Sequence, residues 1–331
     1  MRSIPNVWLA PAGDSMAERA WIKNLKPGAE LDEVYVIRTR ELRRRRGGGN
    51  YLAVTLGDRT GDVASLAWEH AESLAKECEP GKVVRIGGHV QQYQGRTQVV
   101  FRRAEVVDSA DVDPDLFVRS SLVDADVLWL KMQEYIGAMV DADLRQLLFR
   151  VFSDPDIEAR FKVSPAAKTM HHAFRSGLLE HTVSAAGAAL VLAEHYRLHK
   201  DMVLAGVLLH DLGKIWELEA ENSIEYTDDG RLIGHLALEA LYVDRVIAEL
   251  ENFPDEHRRQ LLHILLSHHG EYAYGSPRRP KTPEAMLVHM VDNLDARLAG
   301  MFEAIDQDGD SDQAWSGFSR MLERNIYRRR L

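Results

Sequence analysis

The sequence predicts a multi-domain α+β protein, with a five-stranded β-barrel followed by an all-α helical bundle. Three observations predict it. Residues 29–107 hold short runs rich in β-branched and aromatic residues, separated by turn residues. From Ala125 onward apolar residues recur at three- and four-residue spacing, the period of a helix with one buried face. Between the two lies Asp108-Ser109-Ala110-Asp111-Val112-Asp113-Pro114-Asp115, acidic and without either pattern. The divisions expected are an extension at 1–20, a barrel at 21–108, a linker at 109–123 and a helical domain at 124–331. A chain of 331 residues is long enough for two cores.

Within the barrel the first strand is expected at Leu31 to Arg38, and Arg40 to Gly49 reads as a basic, Gly-ended loop. Tyr51 to Leu56 is the second strand. Asp58-Arg59-Thr60-Gly61 is a turn with Gly at its last position. Val63 to Trp68 is the third strand and Glu69 to Glu79 a short helix. Lys82 to Val90 and Gln98 to Val107 are the fourth and fifth strands, joined by the hairpin Tyr93-Gln94-Gly95-Arg96. Five strands with a helix between the third and fourth is the order of an OB-fold barrel. That barrel binds oligonucleotides on strands 2–3 and on the loops after strands 1 and 4. Here those loops carry Arg43, Arg44, Arg45 and Arg46, and Tyr93, Gln94 and Arg96. Tyr51, Trp68 and Phe101 are candidates to stack on bases, although an aromatic in a small barrel is more often core.

The charge is uneven. Net charge is −10, which argues against a chain that coats nucleic acid uniformly. Residues 1–108 carry 17 Lys+Arg against 14 Asp+Glu, and the remainder 24 against 37. Arg43 to Arg46 concentrate the positive charge where a phosphate backbone could pass. No apolar run is long enough to span a bilayer, and Met1-Arg2-Ser3-Ile4-Pro5 lacks the apolar core of a signal peptide. Cys78 is the only cysteine, so no intrachain disulfide and no cysteine-built zinc site can form. A cytoplasmic, reducing setting is expected. Any metal must rely on carboxylates and the 14 histidines.

In the second domain the repeat running from Val127 and Leu128 to Val151 and Phe152 predicts helices. More are expected at about 165–176, 179–199, 201–213, 235–250, 255–268, 283–306 and 313–328, with a small hairpin over 223–232 at the Asp229-Gly230 turn. An adjacent pair, His210-Asp211, stands at the end of the apolar run Met202 to Leu212. A buried carboxylate beside a buried imidazole is costly unless something pairs them, and a divalent metal does so directly. Gly213 is placed to end that helix. Lys214 lies three and four residues past the pair, on the same face, where it could meet a phosphate. His181, His235, His268-His269 and Asp292 each sit on a separate helical segment. A single histidine at a helix end is more often a cap, but this order of groups is hard to explain by capping.

These stretches resemble the HD-domain metal-dependent phosphohydrolases. More narrowly they resemble the YhaM-type 3′→5′ exoribonucleases, which place an OB-fold before an HD domain. The resemblance rests on Gly177-Leu178-Leu179-Glu180-His181-Thr182, His210-Asp211-Leu212-Gly213-Lys214, Gly234-His235, Ser267-His268-His269-Gly270 with Tyr274-Gly275-Ser276-Pro277, and Asp292-Asn293-Leu294-Asp295-Ala296. In the barrel it rests on Tyr51-Leu52 through Leu56-Gly57-Asp58-Arg59-Thr60-Gly61. One departure is Arg175-Ser176-Gly177, where such proteins usually carry a Gly pair; little functional effect is expected. The resemblance implies one metal held by His181, His210, Asp211 and Asp292, with Asp211 bridging to a second held by His235 and His268. His269 is expected as a further ligand or a phosphate contact. His171 and His172 are candidates for supporting or substrate-contacting groups. Two divalent ions are implied. Manganese suits mixed His and carboxylate ligands, with iron, nickel, cobalt or zinc as alternatives. Asp211 and Lys214 would carry the catalysis, and Arg278, Arg279 and Lys281 could hold the nucleic-acid backbone.

The implied function is a metal-dependent 3′→5′ exoribonuclease or phosphodiesterase acting on single-stranded RNA or DNA, and a homo-oligomer is allowed. Two other classes stay open at this point. One is a nucleotide phosphohydrolase or cyclic-nucleotide phosphodiesterase with the barrel as regulator. The other is a nucleic-acid-binding protein with a structural metal. Asp306-Gln307-Asp308-Gly309-Asp310-Ser311-Asp312 imitates a calcium loop but lacks Gly at the sixth and Glu at the twelfth position, and reads as an exposed acidic loop.

Overall fold

The computed structural model describes residues 19–45, 47–108, 111–118, 120–168, 174–220, 224–306, 313–319 and 322–329. Contacts divide the chain into two compact units, one of 1–120 with 220–223 and one of the remaining residues. The division falls between Ser120 and Ser121, at the end of the acidic stretch.

The first unit is a closed barrel. Strands β1 (Glu30–Arg44), β2 (Asn50–Asp58), β3 (Gly61–Ala67), β4 (Val83–Tyr93) and β5 (Arg96–Val106) follow in the order β1-β2-β3-β5-β4, with helix α1 (Ala71–Glu77) between β3 and β4. The β3–β5 pair is parallel and the others antiparallel. Side chains of alternate residues face inward, as a two-residue period requires. Tyr35, Ile37, Leu52, Val54, Leu56, Ile86, Val99 and Phe101 form much of the core. Asp58 closes the β2–β3 turn: its Oδ1 accepts from the Thr60 amide at 2.6 Å and its Oδ2 from the Ile22 amide at 2.8 Å.

Two expectations for the barrel are corrected. The basic segment is not a loop from Arg40 onward. β1 runs on to Arg44, with Arg43 opposite Tyr51 and Arg44 opposite Asn50. Arg46 lies outside the described residues. Phe101 is 1% exposed and cannot meet a base, because the β5 period puts it inside with Val99. After β5 the Asp113 carboxylate caps a 3₁₀ turn at Pro114–Leu116. Phe117 is buried there with Val34, Val36 and Val83.

The second unit is mostly helical. Helices α2 (Ala125–Gly137), α3 (Ala142–Phe152) and α4 (Pro155–Val163) each open on an aspartate, Asp124, Asp141 and Asp154, whose carboxylate accepts from first-turn amides. Then come α5 (Gly177–Tyr196) and α6 (Lys200–Leu209). Every residue of α6 from Met202 to Leu209 is buried, as a helix apolar on all sides requires. A turn leads to the short α7 (Lys214–Glu217), the ribbon β6 (Leu218–Ala220) and β7 (Ile224–Tyr226), and α8 (Asp228–Leu232). The longer helices α9 (His235–Ala248), α10 (Asp255–Leu265) and α11 (Pro283–Asp306) follow, and then a ribbon, β8 (Trp315–Ser319) with β9 (Arg324–Tyr327). Among the described residues, no helix is long and apolar enough to cross a membrane.

Three helical-domain expectations are corrected. The described parts of 165–176 are not helical, and Ser176 takes a left-handed φ of 64°. The hairpin at Asp229-Gly230 is replaced: β7 pairs with β6, and Asp228–Leu232 is a helix whose cap, the Thr227 hydroxyl, accepts from the Gly230 amide at 2.9 Å. Asp228 and Asp229 suit the positive N-terminal end of that turn. The helix at 313–328 is a two-stranded ribbon instead, in which Ser316-Gly317 breaks the helical pattern and one residue of each strand, Ser316 and Ile326, is buried.

Candidate metal centre

Five elements deliver the candidate ligands. His181 lies in the second turn of α5, and His210 and Asp211 in the turn that ends α6. His235 opens α9, His268 and His269 follow α10, and Asp292 lies within α11. Helix α11 packs on both α5 and α6, which brings residues more than a hundred positions apart together. Ligand atoms of His181, His210 and Asp292 lie within 4.8 Å of one another, and so do those of His235, His268 and His269. Asp211 stands between the two groups. Its Oδ2 is 3.7 Å from His181 Nε2 and 3.3 Å from His210 Nε2. Its Oδ1 is 3.8 Å from both His235 Nε2 and His268 Nε2. Asp292 Oδ1 is 3.4 Å from His181 Nε2 and 3.8 Å from His210 Nε2.

The second nitrogen of each ring fixes which way the lone pair points. His210, His268 and His269 Nδ1 face the carbonyls of Val207, Leu265 and Tyr274 at 2.7, 2.8 and 2.9 Å. A carbonyl only accepts, so each Nδ1 carries the proton and the neutral ring turns an Nε2 lone pair inward. His181 Nδ1 faces Asp295 at 2.7 Å and His235 Nδ1 faces Glu217 at 2.9 Å, with the same result. Two Nε2–Nε2 contacts of 3.2 Å follow, His181 with His210 and His235 with His269. Lone pairs at that distance repel unless a cation or a proton lies between them. His268 Nε2 is buried with no hydrogen-bond partner. Imidazoles oriented by carbonyls and carboxylates on their far side are the usual surroundings of a metal ion, so the residues fit divalent cations.

Residues 178–297 match the HD domain, and residues 34–107 match the OB-fold nucleic acid binding domain. The chain is 32% identical over 282 residues to the 3′-5′ exoribonuclease YhaM of Bacillus subtilis (strain 168), covering 85% of this chain and 89% of that protein. It belongs to the YhaM family. Among solved structures it resembles the HD domain of the Listeria monocytogenes phosphodiesterase PgpH, at 18% identity and a TM-score of 0.29, covering 44% of this chain and 74% of that one. It also resembles the replication factor A related protein of Methanobacterium thermoautotrophicum, at 24% identity and a TM-score of 0.23, covering 28% and 93%. Both scores are too low to bear on function.

The electrostatics of this YhaM-family site separate its two halves. Burial opposes ionisation of Asp211 and Asp292, but Lys214 and His210 beside the first, and His181 and His210 beside the second, hold both carboxyls well below the usual range. Burial also opposes a charge on His181, yet Asp292 and Asp295 raise it to about 9. Without a metal, a proton therefore relieves the His181–His210 contact. The other half has no such aid. Burial, together with neighbouring imidazoles, lowers His268 well below and His269 below the ordinary histidine range. Lys214 Nζ lies 2.7 Å from Asp211 Oδ2.

Three carboxylates that sequence reasoning missed surround the centre. Asp295 holds His181 and itself accepts from the Ser184 hydroxyl at 2.5 Å. It stands one helical turn past Asp292, and that spacing was the available signal. Glu217 also accepts from the His235 amide at 3.1 Å. Glu239 is fully buried, with its Oε1 unpartnered and 3.7 Å from His268 Nδ1; burial and Asp211 raise its carboxyl well above the usual range. Gly213 does not end the helix through a left-handed turn. Its φ is −58°, and a Cβ there would lie 2.2 Å from the His235 carbonyl oxygen. The need is for close approach of two backbones.

Asp141, His199 and His257 also lie within 4.8 Å of one another. His199 Nδ1 accepts from the Met202 amide at 3.1 Å, so its neutral ring carries the proton on Nε2 and caps α6. His171 and His172 lie outside the described residues, as does 307–312 of the calcium-like stretch.

On the barrel, Tyr51 and Trp68 are adjacent, their ring centroids 4.9 Å apart, and Trp68 is 42% exposed. Arg45 lies over Trp68 at 5.3 Å, and Arg43 pairs with Glu41 at 2.7 Å. Tyr93 and Arg96 face each other across the exposed β4–β5 turn. In the helical unit Arg278 is exposed, and Arg279 lies over Tyr272 at 5.3 Å and pairs with Glu271 at 2.5 Å.

Proposed function

We propose that the protein is a metal-dependent 3′-5′ exoribonuclease that degrades single-stranded RNA, with two divalent ions, manganese being the best suited, at the centre just described. The observation that carries this reading is the inward turn of five Nε2 atoms, four of them within 3.8 Å of the two oxygens of Asp211. His181, His210, Asp211 and Asp292 would hold one ion, and Asp211, His235 and His268, with His269, would hold the other. When bound, such a pair lowers the pKa of a water for in-line attack on phosphorus and neutralises charge on the phosphoryl oxygens. Asp211 would serve both ions, because its two carboxylate oxygens face different groups of histidines. Lys214, set against Asp211, directs its cation toward the negative charge that grows on the phosphate. Asp295 orients His181 and Glu217 orients His235.

The barrel supplies affinity for the strand. Trp68 and Tyr51 stack on bases, while Arg43, Arg45 and Arg96 neutralise phosphates and Tyr93 adds a further ring. Arg278 and Arg279 contact the backbone in the helical unit. The relative's name and the barrel both support a polymer substrate. A cytoplasmic location is supported by Cys78, which is buried and whose thiol burial raises to about 12, an inert group in a reducing setting. The test is turnover of end-labelled single-stranded RNA against free and cyclic nucleotides with Mn²⁺. Mononucleotides released from the 3′ end, far faster than any free nucleotide is consumed, are expected. Preference for a cyclic nucleotide would overturn the reading.

A further inference from the structure

The ribbon β8–β9 carries charge and surface unlike the rest of its unit. Residues 313–331 hold five arginines and one acidic residue, Glu323, whereas residues 109–312 hold 19 Lys+Arg against 36 Asp+Glu. Ser316, Leu322 and Ile326 are buried, which fixes the inward face. Trp315, Phe318 and Tyr327 are left 56, 63 and 52% exposed. Trp315 stands opposite Tyr327 in the strand register, with ring centroids 5.2 Å apart. Arg324 and Arg329 are both exposed, three residues before and two residues after Tyr327 in the sequence. Three large rings kept in water forgo the burial that an aromatic side chain ordinarily gains on folding.

We propose that the outward face of this ribbon is a second binding surface for single-stranded RNA, separate from the barrel. The rings of Trp315, Phe318 and Tyr327 stack on bases, and Arg324 and Arg329 neutralise phosphates. Every base has a π face, so such a surface tolerates sequence, and the arginines fit a polyanion. A two-fold contact between copies of this chain through the same face would set each arginine cluster near its own copy, a repulsive pairing that RNA avoids. The identity of the strand rests on the activity proposed above; the surface itself does not.

The test uses the full chain and a fluorescent oligouridylate of about 20 nucleotides, with EDTA present so that nothing is hydrolysed. The double variants Trp315→Ala/Phe318→Ala and Arg324→Gln/Arg329→Gln are compared with the parent by anisotropy. Each is expected to bind about 10-fold more weakly, and the arginine pair to lessen the salt dependence by roughly two ions. Melting temperature, mass by light scattering and turnover of bis(p-nitrophenyl) phosphate with Mn²⁺ stay unchanged. Affinity within twofold of the parent for both variants overturns the proposal. So does a fall in mass, which would make the face a contact between copies, and so does a parent that binds no RNA. A parent that binds RNA but hydrolyses none defeats the proposed activity, and the variants still decide the ribbon.

Discussion

The backbone of His235 passes so close to Gly213 that a methyl group on Gly213 would lie 2.2 Å from the His235 carbonyl oxygen. Gly213→Ala must therefore push His235 away from Asp211. Displacements of this size cost about 100-fold in turnover when they misplace a reacting group. The variant is expected to fold, to lose at least that much RNA hydrolysis, and to bind fewer ions per chain by elemental analysis. Full metal content with full activity would refute the role given to this contact.

Asp211 is buried at 2% exposure and Lys214 largely so at 13%, and their charged groups lie 2.7 Å apart. Removing one partner of a buried pair leaves the other charge unmatched, at a cost of about 3–5 kcal/mol. Asp211→Asn is expected to lower metal-free stability by an amount of that order in urea melts and to abolish hydrolysis. Adding Lys214→Met restores much of the stability and none of the activity. A double variant no more stable than Asp211→Asn contradicts the pairing.

The raised His181 pKa makes stability depend on pH with a definite sign. Burial works against the charged ring, but Asp292 and Asp295 hold its value at about 9, above the ordinary 6.5. In the metal-free protein this contribution is complete below about pH 6.5 and disappears as pH rises through about 9. A metal needs the neutral ring and competes with the proton. Melting temperature without metal should fall over that range, while the increase caused by Mn²⁺ should grow. A metal-induced increase that shrinks with pH would count against His181 as a ligand.

Ser176 holds a left-handed φ of 64° at the start of α5, with no side-chain bond to the helix. That conformation costs an L-residue about 1–2 kcal/mol, partly offset by the greater unfolded entropy of Gly. Ser176→Gly is expected to stabilise the protein by about 0.5–1 kcal/mol, measured by chemical denaturation, with hydrolysis unchanged.

The legible parts of the site were those whose signal is local. His210 and Asp211 are neighbours in sequence at the end of an apolar helix, and the barrel announced itself through runs of β-branched and aromatic residues separated by turn residues. The groups holding each histidine from behind were not legible, because Glu217 and Asp295 matter only once tertiary packing sets them against particular ring nitrogens. Trp68 and Phe101 have similar chemistry, but Phe101 lies in β5, whose period turns it inward, whereas Trp68 follows the end of β3 and is half-exposed. The ribbon at 315–327 deceived for a specific reason. Trp315, Phe318, Leu322 and Ile326 are spaced by three, four and four residues, which imitates a helical face, while Gly317 and the pairing of Trp315 with Tyr327 decide for strands.

The extension of β1 into the arginine run changes what that run can do. Opposed residues of an antiparallel pair point to the same side, so Arg43 shares the side of Tyr51, and Arg44 shares that of Asn50. A polyanion drawn along the Tyr51–Trp68 aromatics meets one of these two guanidinium groups and passes behind the other. Four consecutive basic letters are thus a smaller electrostatic footprint than their number implies, and a ligand would feel the loss of one neighbour far more than the loss of the next.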